Sequence, residues 1–168
     1  CIKHCSHGAR SGIDDFEVFL SDVGKYPFIA IVAPAAAANF GDVHRLNGYL
    51  RSIGVAAFFD VSFGAELTIK SYLTHVKENS PKAVISQPCP AIVSYIEIFR
   101  PGLIKHLAPA DSPMLHTIKM VREYYPNYAS SKIVMISPCY AKKREFEATC
   151  DFGEIYNVTM KSLGKHFD

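Results

Sequence analysis

Four short segments rich in apolar residues have the length and composition of buried β-strands. They are residues 28–33, 55–61, 82–86 and 132–137. None of these segments alternates apolar with polar side chains, so we expect both faces of each strand to be covered.

Between and around these segments, apolar residues recur at helical spacing. This periodicity predicts amphipathic helices at 13–23, 42–53, 65–79, 91–99, 113–124 and 158–167, with a short one after Cys139. Asp14 and Asp15 fall in the first turn of the first helix, where the helix dipole favours acidic side chains. Residues 149–157 are interpreted as irregular. The alternation of strands and helices predicts one α/β domain, a parallel sheet flanked by helices.

Composition and charge narrow the function classes. The 168 residues are 49% apolar and 20% charged, as in a globular protein, and the formal net charge is +2. Without a block of like charges, the chain is expected to bind neither nucleic acid nor a membrane surface. The longest apolar run, residues 28–40, contains Pro34 and is too short to span a bilayer, so no membrane segment is expected. Five cysteines, an odd and sparse number, favour a reducing, cytoplasmic location.

Two of the predicted strands are followed by the same Pro-Cys step, at Pro88-Cys89 and Pro138-Cys139. The carboxyl ends of parallel strands share one edge of a sheet, where ligands usually bind. We therefore expect both thiols on one rim, at the ends of neighbouring strands. Pro90 suits the first turn of a helix, which places Cys89 at a helix N-terminus that stabilises thiolate, the form that binds metals.

The same cysteines allow two other interpretations. Free cysteine is among the most buried residue types, so Cys89 and Cys139 can be small core side chains at strand ends. A redox disulfide or a thiol enzyme requires sulfur atoms within bonding distance, or a base. The sequence offers no obvious histidine base, since His106 and His116 lie in loop or helix contexts.

A second cysteine cluster opens the chain. Cys1 and Cys5 form a C-x3-C step that resembles the end of a ferredoxin-type C-x2-C-x2-C-x3-C run, whose thiolates hold a [4Fe–4S] cluster. Two ligands cannot hold such a cluster, so we expect the chain to begin inside the motif. The alternative is two unrelated terminal cysteines.

Six segments of the chain match the motifs of one known family. They are CIKHCSHGAR (1–10), IVAPA (31–35), FDVSFGAELT (59–68), SQPCPAIVSYIEIFRP (86–101), APADSPM (108–114) and SPCYAKKRE (137–145). Together they resemble the H-cluster domain of the [FeFe]-hydrogenase large subunit, over almost the whole chain. The resemblance divides the chain into the end of a ferredoxin-type motif, residues 1–10, and a partial H-cluster domain, residues 11–168. The third cysteine signature of the family is lacking, as in a truncated fragment.

The resemblance implies the metal ligands. Cys89 and Cys139 would be two of the four thiolates that hold the cubane of the H-cluster, whose other part is a di-iron unit. Cys1 and Cys5 would be ligands of an accessory [4Fe–4S] cluster.

The resemblance also implies the residues around the di-iron unit. Lys142, the candidate catalytic residue, would donate a hydrogen bond to a cyanide ligand; a solvated helix lysine is the alternative. Ala33 and Pro34 would line the pocket, and Ser112 would approach from a loop. Glu145 is expected to be a structural partner of a nearby base.

Two departures from the family pattern bear on function. Pro88 stands where conventional members have a proton-relaying cysteine, and the segment from Thr68 to Val76 contains no acidic residue. The sequence Q-P-C-P resembles the sensory branch of the family, whose members are joined to PAS, chemoreceptor, kinase or phosphatase modules.

The resemblance thus implies an oxidoreductase-like domain that senses H2 with slow or no turnover. Its partners would be H2, protons and an electron carrier such as ferredoxin, and the fragment alone is expected to be inactive. Two alternatives are a conventional H2-oxidising or H2-evolving hydrogenase with another proton route, and a cluster-free α/β scaffold.

Overall fold

A computed structural model of the chain describes residues 6, 7, 11–148 and 152–167. Within these residues, four strands form one parallel sheet in the order β2-β1-β3-β4. The strands are β1 (Phe28–Val32), β2 (Val55–Asp60), β3 (Lys132–Ser137) and β4 (Ile155–Thr159). The α/β fold class that the sequence predicts is therefore confirmed.

The described part of the chain also contains eight α-helices, most of which flank the sheet. They are α1 (Phe16–Asp22), α2 (Ala35–Phe40), α3 (Val43–Ser52), α4 (Ser62–Asn79), α5 (Pro90–Phe99), α6 (Pro113–Tyr124), α7 (Lys142–Glu147) and α8 (Met160–Phe167). Helix α6 packs against α4 and β1, whereas α1 and α8 pack against β4. None of the described helices is both long and apolar enough to cross a membrane.

The central position of β1 and β3 in the sheet explains why their sequences do not alternate apolar with polar residues. Every residue of β1 is buried, and β3 is buried after Lys132. Because successive side chains of a strand point to opposite faces, uniform burial means that both faces of the sheet are covered at its centre.

The predicted strand at residues 82–86 is wrong. Ile85 makes an isolated bridge with Leu107 and does not join the sheet. Its backbone N–H donates to His106 O at 2.7 Å, and its carbonyl accepts from Ala108 N–H at 2.9 Å. The backbone groups of Ile85 are thus satisfied at the end of a 3-10 helix, Pro101–His106, and in the loop that follows it.

The interpretation of 149–157 as irregular is also wrong, because β4 lies partly within it. Asn157 and Thr159 are polar but fully buried. Their backbone N–H groups donate to the carboxylates of Asp15 and Asp14 respectively, both at 2.9 Å. The two acids therefore bind α1 to β4, and Asp15 makes no side-chain capping bond to its helix.

Candidate functional site

Cys89 is the N-cap residue of α5, and Pro90 is the first residue of that helix, as the sequence predicts. However, Cys89 does not follow a strand of the sheet, so the prediction that both cysteines end neighbouring strands is wrong. A tyrosine on α4 holds its segment instead: the backbone N–H of Gln87 donates to Tyr72 Oη at 3.2 Å.

The side chain of Gln87 fixes the same segment from the other side. Its Nε2 donates to Ala108 O at 3.1 Å and to Ala110 O. Gln87 therefore links the Cys89 segment to the loop that precedes Ser112. No local sequence pattern marks this role, because the two ends of the link are more than 20 residues apart.

Cys139 follows β3 and lies at the carboxyl edge of the sheet, as expected. Its backbone N–H donates to Ser137 Oγ at 3.2 Å. From the neighbouring strand, Asn157 Nδ2 donates to the carbonyls of Cys139 and Tyr140, both at 3.3 Å. Cys139 and Cys89 are both free, partly exposed thiols.

Lys142, the first residue of α7, joins the two Pro-Cys segments. Its Nζ donates to Pro88 O at 2.9 Å and forms an ion pair of 2.5 Å with Glu145. With only 7% of its surface exposed, Lys142 is not the solvated helix lysine of the alternative interpretation. The ion pair agrees with the expected role of Glu145 as a partner of a nearby base.

A cavity of about 330 Å³ lies beside this junction. Its lining includes Gln87 and Pro90 from the Cys89 segment, Ser112 from the loop before α6, and Glu145 from α7. Ser112 is buried, and its Oγ accepts the backbone N–H of Leu115 at 3.4 Å as the N-cap of α6. The loop therefore reaches the cavity, while the Ser112 hydroxyl caps a helix.

Ala33 and Pro34 follow the central strand β1 at the same edge of the sheet as Cys139. Ala33 is buried and its N–H donates to Ile136 O at 2.9 Å, whereas Pro34 is exposed. Neither residue lines the 330 Å³ cavity. Cys1, Cys5 and Cys150 lie outside the described residues.

The donor set can be compared with the cubane cluster that the resemblance implies. Such a cluster requires about four thiolates. The described part of the chain supplies two thiols, Cys89 and Cys139, and holds no group of three or more metal-binding side chains. The two thiols fit half of the ligand set of such a cluster.

The family described as "Iron only hydrogenase large subunit, C-terminal domain" matches residues 26–158. Iron hydrogenase 1 of Clostridium pasteurianum is 27% identical over 155 residues, which are 81% of this chain and 27% of that protein. The nuclear prelamin A recognition factor of Homo sapiens is 33% identical over 116 residues, which are 60% of this chain and 25% of that protein.

Solved structures give the same fold. [FeFe]-hydrogenase HydA1 from Chlamydomonas reinhardtii superposes with a TM-score of 0.75 at 24% identity, over 92% of this chain and 47% of that one. The HydA(deltaEFG) structure has the same TM-score at 23% identity and is 46% covered. The chain thus spans about a quarter of the curated relatives and about half of the solved chains. On the match over residues 26–158, the chain belongs to the iron-only hydrogenase large-subunit family.

Proposed function

We propose that this chain is an iron–sulfur, hydrogenase-like domain that binds an H-cluster in its full-length parent and senses H2 with slow or no turnover. One observation carries the proposal: Lys142 connects the Cys89 and Cys139 segments through its bond to Pro88 O. Two cysteine segments from distant parts of the chain are thereby brought to one junction with a buried cation between them.

The cluster-binding half of the proposal rests on the two free thiols. Cys89 and Cys139 would each contribute a thiolate, and the rest of the parent would complete the set. Cys1 and Cys5 would serve an accessory [4Fe–4S] cluster that receives electrons from a carrier such as ferredoxin. When bound, the H-cluster would supply the site at which H2 is split or formed.

The sensing half rests on position 88, which carries no transferable proton, and on residues 68–76 of α4, which include no acidic side chain. A relay requires donors and acceptors within hydrogen-bond reach at every step. Pro88 has no backbone N–H and no side-chain proton. On the facing helix α4, the hydroxyl of Thr68 already donates to Gly64 O and Asp111 O, and that of Ser71 donates to Leu67 O.

The test is H2 evolution by the matured full-length parent, with a chemical reductant in excess. We expect the wild type to be slower by orders of magnitude than a conventional hydrogenase, and Pro88→Cys to raise its rate by adding a titratable group. Pro88→Ala is the matched control: it removes the ring without adding a thiol and should leave the rate low.

Two results would contradict the sensory assignment. A wild type as fast as conventional hydrogenases would support the conventional enzyme with another proton route. An equal gain in Pro88→Ala and Pro88→Cys would show that the ring, and not the missing proton carrier, limits the rate.

A second candidate function is a cluster-free domain that binds another protein. It is favoured by the 32–33% identity to nuclear prelamin A recognition factors of human, mouse and rat, whose name describes recognition of a protein. A parent that lacks further cysteine signatures and retains no iron would support this candidate.

For the sensor, we also propose a cytoplasmic location. Its output modules in the parent would be PAS, chemoreceptor, kinase or phosphatase domains.

A further inference from the structure

Asn157 is an amide buried completely in β4, beside the turn that carries Cys139. Its Nδ2 donates to the carbonyls of Cys139 and Tyr140. Its Oδ1 is buried and has no hydrogen-bond partner among the described residues. A buried acceptor without a donor lowers the stability of the fold, so an asparagine here is less favourable for folding than an apolar side chain of the same size.

The two carbonyls do not depend on Asn157 for a donor. The Cys139 carbonyl also accepts from Ser137 Oγ at 3.4 Å, and the Tyr140 carbonyl also accepts from Lys143 N–H at 3.3 Å. An apolar side chain of similar size at position 157 would therefore leave neither carbonyl unpaired. It would also remove the buried oxygen that has no hydrogen-bond partner. The amide therefore adds little to the stability of the fold.

The backbone of Asn157 is itself held firmly. Its N–H donates to Asp15 Oδ2 at 2.9 Å, and its carbonyl accepts from Asp15 N–H at 3.0 Å. Asp15 also forms an ion pair of 2.6 Å with Lys143 of α7. The side-chain amide of Asn157 thus reaches the Cys139–Tyr140 turn from a backbone position that Asp15 ties to the start of α1 and to α7.

We propose that Asn157 is a positioning residue: it holds the Cys139–Tyr140 turn and thereby sets the direction of the Cys139 thiol. The use of that thiol as a metal ligand rests on the proposed function, whereas the restraint on the turn does not. Without the two amide bonds the turn would move more freely while the sheet beneath it stays folded.

The experiment uses the metal-free chain and the variant Asn157→Leu. Alkylation of each cysteine by iodoacetamide is followed at one pH by peptide mass spectrometry, with Cys89 in the same sample as the internal reference. We expect Cys139 to react roughly tenfold faster in the variant, which corresponds to the loss of two hydrogen bonds. The midpoint of thermal unfolding should change by less than about 4 °C.

The matched control is Val158→Ala, on the same strand. Val158 is fully buried in the core, so its truncation should lower the unfolding midpoint and leave the Cys139 rate unchanged. The inference is overturned if Asn157→Leu lowers the midpoint as Val158→Ala does and does not accelerate Cys139.

Should Asn157→Leu not fold, Asn157→Ala removes the amide without adding bulk or charge. The same acceleration of Cys139 is expected, and an unchanged rate overturns the inference. Since labelling needs no metal, a parent that binds no cluster would refute the proposed function and leave this result standing.

Discussion

The Asp14 carboxylate joins two parts of the chain that are 145 residues apart. It accepts hydrogen bonds from the backbone N–H of Thr159 at 2.9 Å and from its hydroxyl at 2.5 Å. Burial alone would raise the pKa of Asp14, but these bonds and one from Ser162 outweigh it and lower the pKa below the usual 3.8. Because the folded-state pKa is depressed, the stabilisation is complete above the unfolded value and is lost as the pH falls through the folded value.

We therefore expect Asp14→Asn to destabilise the protein by about 2 kcal/mol near neutral pH, the size of a charge-assisted hydrogen bond. The difference from wild type should begin to shrink as the pH falls below 3.8, where the unfolded carboxyl takes up a proton, and should be lost below the lower pKa of the folded state. Urea unfolding at a series of pH values measures this. Glu17→Gln, on the exposed side of α1, is the control and should behave as wild type. Identical urea-unfolding curves for Asp14→Asn and wild type would contradict a stabilising role for the Asp14 carboxylate.

At the level of elements, the contact between α4 and α6 positions the loop that carries Ser112. The two helices meet at Gly64, where a Cβ would overlap with the carbonyl oxygen of Pro113 and with Thr117 Oγ1. One turn further along α4, Thr68 Oγ1 donates to Asp111 O at 3.2 Å. A residue larger than glycine would push this loop away from the cavity.

Gly64→Ala is accordingly expected to lower stability by roughly 1–3 kcal/mol, because neither a backbone oxygen nor a buried hydroxyl can move aside cheaply. Gly48→Ala in the exposed face of α3 is the matched control. Nothing lies within 4 Å of a Cβ at Gly48, so alanine there should stabilise by up to about 1 kcal/mol through its helix propensity. Thermal unfolding of both variants decides. If both stabilise the protein, the close approach of the helices is refuted.

The elements also show where sequence reasoning succeeds and where it fails. Helix α6 has the bounds that its apolar spacing predicts. Strand β1 is apolar throughout and β3 is apolar between Lys132 and Ser137, because both are central strands. Strand β4 was missed because Asn157 and Thr159 are buried polar residues whose partners lie more than 140 residues earlier. Periodicity is a local signal, and it cannot register a hydrogen bond from a distant segment.

The candidate site divides in the same way. Cys89, Cys139 and Lys142 were identified from short motifs, and the structure brings their segments together. The hydrogen bonds of the Gln87 and Asn157 side chains were not identified, because each joins segments 17 or more residues apart. No sequence pattern shows which carbonyls a side-chain amide in a loop or strand binds.

On the scale of the whole molecule, the helix that begins after Cys89 is largely uncovered. Helix α5 is apolar on nearly all sides, yet Ile96 is its buried residue, while Ile98 and Phe99 are 65% and 59% exposed. A helix of this composition is normally covered on all sides. The described residues therefore leave both the Cys89 thiol and its helix open to further polypeptide.

We also expect the isolated 168-residue chain to hold no complete cluster. Cluster retention requires about four thiolates, and each of the two predicted motifs, Cys1 with Cys5 and Cys89 with Cys139, offers at most two. The measurement is iron and acid-labile sulfide per chain after anaerobic reconstitution and desalting, for wild type, Cys89→Ser, Cys139→Ser and, as the control outside both Pro-Cys steps, Cys150→Ser. All four should retain well below the roughly four irons of a cubane. Full occupancy in wild type and Cys150→Ser that disappears in both other variants would mean that this chain carries a complete ligand set, and that additional ligands must be sought within its own residues.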